Sequence, residues 1–181
     1  TPYAELHCLS NFTFLRGASH PEELVQQAAD LGYQALALTD ECSFAGVVCA
    51  HRAIKEENLS LKLIIGSEFR HASGLYIVLV TGRKACAELS TLITQCRRQA
   101  EKGHYTFTPA QLTDLQHCLL LWQPAEQEIL SEYAALIRHF HQRLWLLGER
   151  TLDEFDAHHY IGIARWADTL DLPVVAASNV H

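Results

Sequence analysis

The chain has 181 residues, 49% of them hydrophobic and 19% charged, a balance that fits one folded domain with a sizeable core and excludes a disordered chain. A net charge of -7 argues against a domain that grips nucleic acid by itself, because phosphate neutralisation favours basic surfaces. No apolar run reaches the ~20 residues of a membrane helix and no secretory leader is visible, so no membrane partner is expected. Six dispersed cysteines without a Cys-x-x-Cys pair fit reduced thiols in the cytoplasm rather than a zinc knuckle. The chain has no methionine and ends at His181 directly after an apolar stretch, so both ends read as cuts in a longer polypeptide.

Ala4 to Leu9 reads as a strand. Ser19 and Glu22 have capping-box spacing, Pro21 suits a first helical turn, and Leu24, Ala28 and Leu31 recur at helical spacing before Gly32 ends the helix. Ala35 to Thr39 is a short buried strand, followed by a helix from about Phe44 to Glu57. Leu61 to Ser67 is the third strand, His71 to Gly74 a turn, and Leu75 to Thr81 the fourth strand. Lys84 to Lys102 is a long helix, and Thr108-Pro109 opens a short helical segment. Cys118 to Trp122 is a strand, Ala125 to His141 a helix, Leu144 to Leu147 a strand, Thr151 to Leu170 a helix, and Pro173 to Ala177 a strand. The basic clusters Arg97-Arg98 and Arg52 with Lys55 lie on helix faces and read as solvated surface.

Strands that mostly alternate with helices give an α/β class with a mainly parallel sheet, either doubly wound or closed into a barrel. His7, Asp40-Glu41, Glu68 and His181 all fall at or just past C-terminal strand ends, where sites gather in such folds. No phosphate-cradling Gly-rich loop and no Gly-x-Ser-x-Gly elbow is present, which leaves nucleotide-binding and serine-hydrolase readings unsupported.

The segment from His7 to Ser19, with Thr39-Asp40-Glu41 and Gly66-Ser67-Glu68-Phe69, resembles the metal-site loops of PHP domains (polymerase and histidinol phosphatase). The wording is most similar to the error-prone branch of bacterial C-family DNA polymerases: Asn11-Phe12, Gly17-Ala18-Ser19, Glu22-Glu23-Leu24 and Ala45-Gly46-Val47-Val48 recur there. The resemblance implies a single PHP domain over residues 1–181, folded as a distorted seven-stranded barrel, with the polymerase core lying beyond this segment.

Set against the metal-binding pattern of that family, this chain departs at several positions. A His-x-His pair would aim two rings at one metal, but here His7 is followed by Cys8 and Leu9; Cys8 points the other way and reads as a buried thiol. Where the family carries aspartate before the loop glycine, this chain has Arg16, whose fixed charge repels a divalent cation and suits an ion pair with Glu41 or Glu68. Thr-Asp-His becomes Thr39-Asp40-Glu41, with Asp40 assigned to structuring the loop. A histidine near the fourth strand and a ligand after the fifth are missing, and Asp-Val-His becomes Asn179-Val180-His181. The vestigial metal candidates are therefore His7, Glu41, Glu68, Asn179 and His181.

Two readings of the mouth stay open: a polar plug of hydrogen bonds and ion pairs, or a site holding a weakly bound zinc or manganese ion. The resemblance implies a parent DNA-directed DNA polymerase (a nucleotidyltransferase with magnesium in its absent core) that acts in DNA replication, repair and translesion synthesis after DNA damage. It implies the rest of that chain, DNA and damage-response accessory proteins as partners. On this reading the segment itself is structural. The alternatives are an active metal-dependent phosphoesterase (a 3'-5' exonuclease or pyrophosphatase) and a stand-alone enzyme of the histidinol phosphatase type.

Overall fold

The computed structural model describes residues 3–125, 131–149 and 156–180. Seven strands pair in chain order. β1 (Ala4–Cys8), β2 (Ala35–Leu38) and the first half of β3 (Lys62–His71) are parallel. The second half of β3 runs antiparallel to β4 (Gly74–Leu79), and β4 antiparallel to β5 (Leu119–Pro124). β6 (Leu144–Glu149) and β7 (Val174–Ala177) restore parallel pairing. The helices between them are α1 (Pro21–Asp30), α2 (Val47–Glu56), α3 (Arg83–Arg98), α4 (Ser131–His139) and α5 (Asp156–Leu170), with a 3-10 turn at Pro109–Asp114.

Alternation along the strands sorts the core. In β4, Leu75, Ile77 and Leu79 pack with Ala37, Leu121, Leu147 and Ala177 inside the sheet curve. Tyr76 and Val78 face the other way, against α3, Leu112, Trp122 and α4. Leu36 and Leu38 of β2, with Cys8, meet Leu24, Val25 and Ala28 of α1 and Ala50 of α2. Cys8 thus turns away from the interior, and burial pushes its thiol up to about 12.

The ends of the sheet nearly meet. Leu9 N donates to Val180 O at 2.8 Å and Val180 N to His7 O at 3.0 Å, a parallel bridge just beyond β7. Earlier along this seam a buried side chain supplies the connection. Glu5 Oε1 accepts from Leu6 N, His7 N and Ser178 N at 3.0, 2.9 and 3.1 Å, while its Oε2 accepts from Tyr3 Oη at 2.9 Å. The result is a nearly closed seven-stranded α/β barrel, the form that the resemblance implied where the alternation of strands and helices left a doubly wound sheet equally open.

Several details differ from the sequence reading. The α1 cap is one residue later: Glu23 accepts the N–H of His20 at 2.7 Å, and Pro21 is the first helical residue. β3 continues past its expected end at Ser67 to His71, and the expected turn tightens to Ala72-Ser73 between β3 and β4. Arg97 is not simply solvated. It turns inward, donating to Cys42 O and Glu41 O at 3.2 and 3.1 Å and lying over the Tyr105 ring. The expected starts of the helices at Ala125 and Thr151 involve residues 126–130 and 150–155, outside the described set.

Glu5 is where the barrel seam is most exposed to mutation. Glu5→Ala leaves three backbone donors without their shared acceptor and is expected to cost about 3 kcal/mol in urea unfolding, with faster amide exchange at His7 and Ser178. A loss below about 0.5 kcal/mol, within the range of an ordinary surface change, would show that water or neighbouring strands replace the carboxylate.

Candidate functional site

The loops after β1 and β2 are tied together before any site chemistry begins. Asp40 accepts from Ser10 N, Ser10 Oγ and Thr13 Oγ1 at 2.8, 2.8 and 2.7 Å. Thr13 Oγ1 in turn accepts the N–H of Glu41 at 3.0 Å, and Ser67 Oγ donates to Asp40 O at 2.8 Å. Two loops and strand β3 therefore share one small polar knot. Gly17 is required at its neck, because a Cβ there would stand 1.9 Å from Ser10 O.

That knot sets the positions of Arg16, Glu41 and Glu68. The chain after β2 continues alongside β3, with Glu68 N donating to Thr39 O and Cys42 N to Glu68 O at 3.1 and 2.9 Å. Glu41 and Glu68 become bridge partners. Glu68 lies opposite Ile77, a residue of the interior cluster, so its carboxylate enters the barrel. β1 carries a register irregularity between Glu5 and Cys8, a device that re-aims side chains. His7, in that stretch, reaches across the interior.

Glu68 is at the centre of what results. Its side chain is fully buried and contacts three cationic groups: His7 Nε2 at 2.7 Å, Arg16 Nη1 in a close ion pair, and Arg70 Nε at 3.0 Å. His7 is also fully buried, and its Nδ1 meets Glu149 Oε1 at the end of β6. Arg16 Nη1 also donates to Glu41 Oε2 at 2.7 Å, and Tyr105 Oη donates to Glu41 Oε1 at 2.6 Å. Arg97 holds the carbonyls of Glu41 and Cys42, the latter a residue with φ of 47°.

The protonation states follow. Burial alone lowers the pKa of His7, but the bonds to Glu149 and Glu68 outweigh it and hold the imidazole up at about 9. Burial raises Glu68, and the bonds from His7 and Arg16 overcome that and bring it down to about 2. At neutral pH the ring is an imidazolium with both nitrogens donating. Burial also raises the Tyr105 hydroxyl, and its bond to the Glu41 carboxylate raises it further.

A metal ion fits this arrangement poorly. Both ring nitrogens of His7 are already engaged by Glu68 and Glu149, and the space between Glu41 and Glu68 holds a guanidinium. Among the described residues no group of three or more His, Cys, Asp or Glu side chains is placed to hold a metal. Leu9 is buried, so the position of a second ring is filled by an apolar side chain. Asn179 sits past β7 with φ of 50°, next to the Val180 bridge. His181 lies outside the described residues.

Sequence reasoning missed Glu149, Arg70, Tyr105 and Arg97. For Glu149 a signal existed: it is a carboxylate ending an apolar strand, the same placement that marked Glu68. Arg70 was hidden because β3 was ended too early. Tyr105 and Arg97 carry no motif and reach the site only because α3 and the loop after it pack on β3.

Comparison with known proteins agrees with this architecture. The family model described as PHP domain matches residues 5–160. Error-prone DNA polymerases of Vibrio vulnificus and Methylococcus capsulatus are 46% and 47% identical over 180 and 182 residues. The alignments take in 98% and 99% of this chain but only 18% and 17% of those proteins, so it spans under a fifth of their length. Among solved structures, a candidate metal-dependent phosphoesterase of Bifidobacterium adolescentis shares the fold with a TM-score of 0.68 at 15% identity, covering 100% of this chain and 89% of that one. With nearly its whole length matched by these relatives and most of it by the family model, the chain belongs to the PHP domain family.

Proposed function

We propose that this barrel is a non-hydrolytic PHP domain that braces the body of an error-prone DNA polymerase. The observation that carries the reading is the Arg16 guanidinium lodged between Glu41 and Glu68, where the chemistry of phosphoester hydrolysis needs divalent charge. The parent reaction is nucleotidyl transfer onto DNA, with magnesium held in the remaining polypeptide. The setting is DNA replication, repair and translesion synthesis in the cytoplasm, with damage-response accessory proteins as further partners. The relatives' names support the polymerase assignment. The filled mouth supports a structural role for this segment over exonuclease, pyrophosphatase or phosphatase activity.

The test is elemental analysis of the purified chain after incubation with manganese and zinc and then desalting. Less than about a tenth of a metal ion per chain is expected, far below the full site occupancy that metal-assisted hydrolysis needs. One or more tightly held ions per chain would overturn the reading and make nuclease and phosphatase assays the next step.

Arg16→Asp combined with Leu9→His removes the fixed charge and offers a second imidazole beside His7. The double variant is expected to bind manganese or zinc at least roughly tenfold more tightly, the scale of a gained or lost partner at a metal site. Unchanged affinity in a folded variant would show that the guanidinium is not what keeps metal out.

The ionised network also sets the pH profile of stability. His7 is raised, so its contribution is full below its unfolded pKa of roughly 6.5 and is lost as pH rises through about 9. Glu68 is lowered, so its contribution is full above its unfolded pKa of roughly 4.3 and is lost as pH falls through about 2. Stability is expected to plateau between about pH 4.5 and 6.5 and to fall by a few kcal/mol toward pH 9.5. His7→Gln should lower the plateau and flatten the alkaline limb. An alkaline limb of the same slope in that variant would assign it to other groups.

A further inference from the structure

The loop between β1 and α1 carries an apolar tip beside the barrel mouth. Phe12, Phe14 and Leu15 are 46%, 83% and 89% exposed. The loop beneath them is firmly built. Asn11 N donates to Ser19 O at 2.9 Å, Thr13 N to Ser10 O at 2.9 Å, and Arg16 N and Gly17 N to Thr13 O at 3.1 and 3.0 Å. Ser10 and Thr13 are fastened to Asp40, and Arg16 is fastened to Glu41 and Glu68. Leu15 takes φ of 65°, a left-handed conformation that costs a leucine and persists only where the surroundings impose it. Ser10, Thr13 and Arg16 of this loop thus turn toward the molecule, and its large apolar side chains point out.

From this we infer that the Phe12–Phe14–Leu15 tip is a docking knob that seats in an apolar pocket of the same polymerase chain, outside residues 1–181. The inference rests on the reading of this barrel as part of a polymerase, and it names the surface by which the barrel braces that body.

Three observations select this occupant. The first is size. The exposed faces of the three side chains amount to roughly 400 Å². Two copies meeting through this patch would bury at most about 800 Å² together, below the ~1,200 Å² of a standard stable interface. A tethered partner needs less area, because linkage supplies an effective concentration of order millimolar. The second is chain length: relatives at 46–47% identity carry more than four fifths of their length outside the matched part, which provides the tethered partner. The third is charge. The one cation of the loop, Arg16, is already bound to two carboxylates, which leaves the tip without a free guanidinium or ammonium for a nucleic-acid backbone.

The experiment uses the full-length polymerase with a benzophenone-bearing amino acid in place of Leu15, and a control with the same group in place of the exposed Lys84. After irradiation, cross-linked peptides are mapped with and without primer-template DNA. The expected result is a cross-link within one chain, from position 15 to a peptide beyond residue 181, absent from the Lys84 control. Adding Phe14→Ser should lower its yield at least roughly tenfold. Cross-links to a second copy, to DNA, only within residues 1–181, or none above control, would each overturn the proposal. Failure here with metal still absent would remove the knob and leave the closed mouth standing. Tight metal binding with the cross-link intact would do the reverse.

Discussion

The mouth of this barrel is organised around one carboxylate that water does not reach. An isolated ion in that position costs several kcal/mol, so Glu68 is tolerable only because His7, Arg16 and Arg70 all bond to it. Each of these cations comes from a different place: β1, the loop after it, and β3 itself. The network therefore constrains the fold as much as the fold constrains the network. If the β1 loop shifts, Arg16 leaves, and Glu41 and Glu68 confront each other across a strand bridge without their shared counter-ion. The Asp40 knot, which fastens that loop to the second one, is what keeps the separation of charges from opening.

The barrel seam shows the same economy on its other side. β1 and β7 lack a regular ladder along their length, and an edge pair without one leaves backbone donors unpaired. Glu5 resolves this by presenting one oxygen to three N–H groups, two on its own strand and one beyond β7. His7 lies two residues on, so the side chain that reaches Glu68 and Glu149 is anchored by the same carboxylate that joins the sheet ends. Seam closure and site geometry are in this sense one problem.

How much of this could be read from the residues depended on range. The strands announced themselves as short apolar runs, and the loops at their ends by polar residues after them, so the α/β class was accessible, while the choice of a barrel over a doubly wound sheet came from the family resemblance. The replacement of an expected aspartate by Arg16 marked the site, and its position next to Gly17 placed it in the right loop. What stayed hidden was set by tertiary distance. Glu149 is 142 residues from His7, and nothing local in Gly148-Glu149 says that the strand ends against that ring. Arg97 looked like half of a solvated basic pair because helix periodicity does not show which neighbouring loop has carbonyls to offer. The cap moved from Ser19 to His20 because the glutamate that reaches back is Glu23, a choice between adjacent acids that spacing alone does not make.

Charge accounting gives the departures from the metal-binding pattern a common logic. Glu41, Glu68 and Glu149 converge on a low-dielectric mouth, and three carboxylates there need positive charge from some source. In a metal-binding barrel the cations supply it. Here a guanidinium stands between two of the acids, a second guanidinium supports one of them, and the imidazole between the other pair holds its proton well above neutrality. The same kind of ring that can serve as a ligand acts here as a counter-ion. Arg16 raises the net charge of the mouth toward balance, so an arriving divalent ion would have to displace an ion pair as well as find its ligands.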